Sequence, residues 1–431
     1  MKKFVFLILS VVLTLALARP AVAAVEITYW DTNVTPVRTP FWQHMIERFE
    51  KENPDIKVKL VGLPQAQAHT KIVTAIQTQT TPDCASFWVE WLAEFKAMDA
   101  AVDLRPYLEK SHLKNELVPA AIEAVEYPVG GKDGPLLLIP HRFFLDGLWY
   151  RLDWYKEKGL EPPRTLVELE EQMKLFTDPA QNRYGLAMRG GKSGHLYLFQ
   201  MMLTYAGANQ VFDVNGNSVV NRPEYVKGLD WYTSLYKKGL TPKSAINDAY
   251  QQILMNFDSG TTALLIHNPG SSTEHKNKLG EGKFMSAPWP LGPKGVRVMR
   301  NIWTEGVGIF KTSKQKEAAW KWAEFVAGEW ASSYWNRMIG EIPANLRSQQ
   351  HDWFKNHQYL PNFSKPIGDP KTLWFDLPVY LPEWAEFQDR SIIPDMQAVM
   401  LGQKTAKEVL DKWAGLLTEW NQAYLKRTGK K

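Results

Sequence analysis

The 431 residues, 45% hydrophobic and 23% charged, are enough for two or three ordinary soluble domains. A formal charge of +5 with no clustered basic face before the last residues excludes a nucleic-acid footprint. A single cysteine, Cys84, excludes an intramolecular disulfide and a thiolate zinc site. The outlier is aromatic content, with 18 Trp, 16 Tyr and 19 Phe, which supplies flat rigid surface for a dense core or for a ligand with apolar faces.

The chain opens with two lysines, an apolar run from Phe4 to Ala18 and the small-residue end Ala21-Val22-Ala23. That pattern predicts a signal peptide over 1–23, cleaved after Ala23. No cysteine stands at the cut, so no lipid anchor is expected, and the mature protein is expected free in a periplasm or outside the cell. Lys2, Lys3 and Arg19 leave with the leader, so the mature chain is close to neutral.

"VEITYW" alternates as a strand. Thr39 is read as the cap of a helix with Pro40 at its start and Trp42, Met45, Ile46 and Phe49 inward. "IKVKLVG" is a second strand, "HTKIVTAIQTQ" a second helix and "PDCASF" a third strand. Strand and helix alternation calls for a parallel sheet covered on both faces. Ligands of such sheets bind beyond the carboxyl ends of the strands, which places Trp30 to Arg38, Gly62 to His69 and Trp88 to Trp91 at the rim. Trp91, Phe95 and Met98 share a helical stripe, so Trp91 reads as core. Trp88 and Glu90 lie off that stripe and are the better site candidates.

A second α/β unit is read from residue 136, with "PLLLIP" as its strand. A helix capped at Thr165, a strand in "NRYGLAMR", helices around 195–206 and 223–238 and a strand in "TALLIHN" follow. "FMSAPWPLGPKG" reads as a crossing between units, and Ser313 as the cap of a helix that stops at Gly328. The remainder is helical and rich in tryptophan.

Catalytic signatures are missing. There is no H-E-x-x-H, Walker A or G-x-S-x-G, and no histidine pair stands at ligand spacing. "RGGKSGH" at 189–195 offers backbone N–H groups and two cations without Walker spacing. Carboxylates are plentiful enough that a glycosidase pair stays open.

Taken together, "ITYW…FWQHMIERFEKENPDIKVKL", "VDLRPYL", "GLWYRLDWYKEKGLEPPRTLVELEEQMKLFTD", "FDSGTTALLIHNPGS", "TSKQKEAAWKWAEFV" and "IPAN" resemble the carbohydrate-binding extracellular solute-binding proteins of bacterial ABC importers, the group that includes maltose-binding protein. The resemblance implies a two-lobe α/β periplasmic-binding-protein fold with discontinuous lobes and a hinge. It places 24–140 and 289–329 in one lobe and 141–288 and 330–431 in the other, with crossings near 140, 288 and 330. A mono- or oligosaccharide is expected in the cleft of a monomer that delivers it to permease subunits, with no cofactor, no metal and no catalysis.

The residues implied for the ligand are Trp30, Asp31 and Asn33 after the first strand, and Trp88 and Glu90 after the third. Arg142 and Phe143 come from the first crossing, Arg189, Gly190 and Lys192 from the glycine-rich turn. Asn268, Gly270, Trp303 and Glu305 complete the set. Relatives often read Asn-Gly-Pro-Trp where this chain has Asn268-Pro269-Gly270-Ser271, so another aromatic, Trp353 or Trp374, is expected to supply the second stacking face. Arg142, Arg189 and Lys192 leave room for an acidic ligand such as a glycerol phosphate ester. A secreted glycoside hydrolase is the reading from another class.

Overall fold

A computed structural model describes residues 24–429. The signal peptide and its cleavage site lie outside the described residues. Among those described, the strands in chain order are β1 (Val25–Asp31), β2 (Ile56–Gly62), β3 (Cys84–Trp88), β4 (Ile139–Phe144), β5 (Gly147–Tyr150), β6 (Tyr184–Ala187), β7 (Thr262–His267), β8 (Met285–Ala287), β9 (Arg297–Arg300), β10 (Trp303–Ile309), β11 (Ile342–Pro343) and β12 (Thr372–Phe375).

Six strands form the first sheet, in the order β11-β4-β10-β3-β1-β2. β1, β2 and β3 run parallel, as the alternation requires. The helix Thr39–Glu52 returns the chain between β1 and β2 and buries Trp42, Met45 and Phe49. It starts one residue earlier than expected: Thr39, read as the cap, is already helical, and its hydroxyl donates to the Thr35 carbonyl at 3.0 Å. β10 is antiparallel to both β3 and β4, with Glu305 opposite Trp88 on one side and Arg142 on the other. That register puts three candidate residues in one row across the sheet.

The second sheet has the order β6-β7-β5-β8, and β9 pairs with β12 in a small parallel ladder. Thr165 caps the helix Leu166–Phe176 by accepting from the Glu168 N–H at 3.1 Å. The helix His195–Ala206 is buried on nearly every side, as a helix apolar all round should be. Thr204 on it accepts from Trp289 Nε1 at 3.0 Å and donates to the Val298 carbonyl at 3.0 Å.

The chain passes between the sheets later than expected each time. The buried run Leu136–Leu138 precedes a strand, and the paired residues are Ile139–Phe144 of the first sheet, so the first passage is Leu145–Asp146 and not near 140. The Pro/Gly-rich stretch at 288–295 is no crossing. Trp289 and Val298 hold it against the second lobe, and the return is at Asn301–Ile302. Gly328 separates two helices on the first lobe, Lys316–Ala327 and Glu329–Ile339, and β11 then pairs with β4. Trp353 still donates to Ser333 of the first lobe at 2.8 Å, whereas the Tyr359 carbonyl accepts from Ser286 of the second at 3.0 Å. The last passage therefore falls between 353 and 359, not at 330.

Most of the tryptophan excess is core. Trp42, Trp322 and Trp335 cluster under the first sheet, with ring centroids 4.3 Å apart for Trp42 and Trp335. Trp384 and Trp413 pack on Phe199 of the second lobe. Burying each such ring stabilises its lobe by roughly 1.5–3 kcal/mol, and this offsets the missing disulfides.

Candidate functional site

A cavity lies where the carboxyl ends of the first sheet face the second lobe. From the first lobe it is lined by Asn33, Arg38, Gln65, Trp88, Glu90, Phe144, Trp303 and Glu341. From the second come Arg189, Ser193, Leu196, Tyr197, Tyr250, His267 and Asn268. Asp146 and Arg300, each at a passage between lobes, close its floor. The β-strand rim predicted this location, because side chains at the ends of parallel strands have no sheet neighbour above them.

Of the candidates, Asn33, Trp88, Glu90, Arg189, Asn268 and Trp303 line the cavity. Trp88 is held by its Nε1, which donates to Thr32 Oγ1 at 2.9 Å. Arg189 Nε donates to the Lys192 carbonyl at 2.6 Å, and its Nη2 reaches Gln65 Oε1 across the cleft at 3.5 Å. Asn268 is fixed by accepting from the Gly270 N–H at 2.9 Å.

The other candidates fall elsewhere. Trp30 sits part-buried on β1, opposite Val61, away from the cavity. Phe143 faces a satellite core with Ala121, Ile342 and Leu360, and strand alternation gives the cavity Phe144 instead. Arg142 is buried beneath the site, donating to Glu305 and Glu341. Glu305 is likewise buried there and does not line the cavity. Asp31 lies in the same layer, its Oδ1 accepting from the Asn33 N–H at 3.1 Å. Lys192 pairs with Asp389. Gly190 is a packing glycine, since a Cβ there would collide with the Ala245 carbonyl. Gly270 is where the lobes touch: its carbonyl accepts from Arg38 Nη2 at 3.4 Å, and a Cβ would overlap the Glu341 carboxylate. Trp353 packs on Phe354 and Trp374 lies on β12, so neither supplies a stacking face; Tyr197 and Tyr250 are the aromatics of the second lobe.

Arg38 and Arg300 were missed, and both have donors to spare. Arg38 Nη2 bridges to Tyr250 Oη and to the Gly270 carbonyl, each at 3.4 Å, while its Nη1 has no hydrogen-bond partner among the described residues. Arg300 Nη2 donates to Asp146 at 2.7 Å, and its Nε and Nη1 have none among the described residues. On the acceptor side, Glu90 Oε2 is buried with no hydrogen-bond partner among the described residues. Buried polar atoms are rarely left so; a ligand with hydroxyl groups would satisfy them. Arg38 closes the first-strand loop and Gln65 falls in the second rim segment, so their segments, though not their side chains, were signalled.

The electrostatics follow from burial. Desolvation, with Glu305 adding repulsion, lifts Asp31 to about 6. Burial also raises Glu90, against the pull of Lys192, Arg300 and His69. Burial pushes His267 well below its usual range, with Arg189 adding to the effect, so it is neutral in the cavity wall. Three guanidinium groups line the cavity (Arg38, Arg189, Arg300) and three carboxyl groups match them (Glu90, Asp146, Glu341).

A family model described as bacterial extracellular solute-binding protein matches residues 35–330. The chain belongs to that family. A binding protein of Brucella abortus (strain 2308) is 25% identical over 374 residues, which span 86% of this chain and 87% of that one. An ABC transporter solute-binding protein from Thermotoga lettingae TMO, bound with α-D-tagatose, aligns with a TM-score of 0.82 at 22% identity, over 92% of this chain and 100% of that one. Maltose-bound MalE3 of T. maritima gives 0.80 at 23% identity, over 91% and 99%. These likenesses show the two-lobe α/β fold of solute-binding proteins. Family and fold are those of binding proteins and not of enzymes, which removes the glycoside hydrolase reading.

Proposed function

We propose that this chain is the extracytoplasmic capture component of an ABC importer and that its ligand is a neutral sugar or polyol. The carrying observation is the balanced cavity, three guanidiniums facing three carboxyls beside Trp88. A hydroxyl both donates and accepts, so a polyhydroxylated ligand uses guanidinium N–H groups and carboxylate oxygens together. Its C–H face lies against an aromatic ring. An anionic ester would need a surplus of cations, and Lys192, which favoured that reading, is engaged by Asp389. The family and the sugars held by the two similar structures support this reading.

The protein acts as a monomer whose lobes close over the ligand and present it to a permease. Closure excludes water and strengthens each hydrogen bond to the sugar. Native mass spectrometry after incubation with mixed neutral sugars, polyols and their phosphate esters tests the reading. A neutral adduct is expected; retention of a phosphate ester alone would overturn it.

A further inference from the structure

The ligand cavity has a larger neighbour. A chamber of ≈ 280 Å³ opens to solvent beside Glu123 and Asp376, which are exposed. It shares two lining residues with the ligand cavity, Arg300 and Trp303. The inner space measures ≈ 50 Å³, or roughly four water molecules at about 10–15 Å³ each. That is far too little for two saccharide units.

Two side chains, Arg300 and Trp303, belong to both linings, and Arg300 is firmly held. Arg300 is 4% exposed. Its guanidinium lies over the Trp303 ring, 4.1 Å from the centroid, and Nη2 donates to Asp146 at 2.7 Å. Its backbone N–H donates to Gln200 Oε1 at 3.3 Å. A side chain so fixed does not swing aside for a longer ligand. Beyond it, the chamber already mixes polar Asn301, Asp376 and Tyr127 with apolar Ile302, Leu377 and Val379, a lining that could receive a second sugar ring.

We propose that Arg300 sets the length of the ligand: its guanidinium ends the inner cavity after one saccharide or polyol unit, and its unpartnered Nε and Nη1 bond that unit's outermost hydroxyls. The inference rests on the sugar-or-polyol reading. It also addresses what the fold leaves open, since similar structures hold a one-unit sugar in one case and a two-unit sugar in the other.

The test compares the native protein with Arg300→Ala combined with Asp146→Asn, a pair chosen so that no carboxylate is left buried without its cation. Both are titrated by calorimetry with one-unit probes (D-tagatose, D-glucose, ribitol, erythritol) and two-unit probes (maltose, trehalose, cellobiose, sucrose), after melting curves establish folding. The native protein should bind within the first set only. The double variant should gain affinity for a two-unit probe by about tenfold or more. Native binding of a two-unit probe within about tenfold of a one-unit probe would overturn the proposal, as would a double variant that gains none. Should the native protein bind neither set, the sugar reading itself fails; should it bind one-unit probes while the variant gains nothing, only the length filter fails. The native titrations decide on their own if the variant does not fold.

Discussion

Asp146 and Arg300 meet at the first two passages between the lobes, carboxylate and guanidinium 2.7 Å apart and both almost wholly buried. One follows β4 and the other ends β9, so a single ion pair ties together two strands of the hinge.

Removing one partner strands the other in a dry site. Asp146→Ala should cost about 3–5 kcal/mol of folding stability, read from urea denaturation. Asp146→Asn keeps a hydrogen-bond acceptor and should cost less. A loss under about 1 kcal/mol for the alanine variant would mean that the pair behaves as a solvated surface bridge.

Gly270 tests closure separately from folding. A Cβ there would overlap Glu341, which cannot move away without leaving Arg142. The backbone at Gly270 is not left-handed, so alanine strains nothing within its own lobe. With the lobes apart, the added methyl meets no Glu341 carboxylate, so Gly270→Ala should change the melting temperature of the ligand-free protein far less than it changes binding. Affinity for the captured sugar should fall by more than about tenfold. Native affinity in calorimetry would show that the lobes need not approach as closely as they do here.

Trp88 and Trp91 lie three positions apart, with ring centroids at 6.3 Å, yet only Trp88 lines the cavity. Both are mostly buried, so each alanine variant should melt early; truncating a buried aromatic costs roughly 3–5 kcal/mol. Ligand binding separates them. Trp88→Ala should lose about 2 kcal/mol of binding, and Trp91→Ala, measured below its melting range, should bind nearly as the native protein does. The reverse pattern would put Trp91 under the sugar.

Asp31 gives the pH dependence. Its carboxyl rises from the usual 3.8 to about 6, through burial and then the charge on Glu305. Between those values the unfolded chain has released its proton while the folded protein keeps it, so stability falls as pH rises through this window. The loss levels off above about 6 and amounts to about 3 kcal/mol at most. Asp31→Asn cannot ionise and retains the acceptor for the Asn33 N–H. It should match the native protein near pH 4 and exceed it at pH 7, by chemical denaturation at each pH. A gap that did not widen with pH would contradict the account.

How far the sequence could be read depends on the length scale of each signal. Periodicity located the helices Thr39–Glu52 and Leu166–Phe176 because a helical face repeats over many residues. It also divided Trp88 from Trp91, since strand and helix periods change between them. Phe143 and Phe144 were confused because a strand alternates every residue and one position of register reverses the face. Arg142 was misplaced for a different reason. Its partners Glu305 and Glu341 lie 163 and 199 residues away in sequence, and nothing local marks a guanidinium as neutralised. Lys192 and Asp389, 197 residues apart, repeat that case. Arg300 carried no signal at all, because a hinge residue gains its role only when two passages are brought side by side.

The central claim, a charge-balanced interlobe cavity for a neutral hydroxylated ligand, is met most directly by a thermal-shift screen. The native protein is melted with neutral sugars and polyols and, in parallel, with their phosphate esters and sugar acids. A ligand at about 100 times its Kd adds roughly 2.7 kcal/mol to the folded state, which raises the melting temperature by several degrees. The account predicts that a neutral compound gives the largest rise and that adding a phosphate to it abolishes the effect. A rise confined to the phosphorylated or acidic compounds would contradict it.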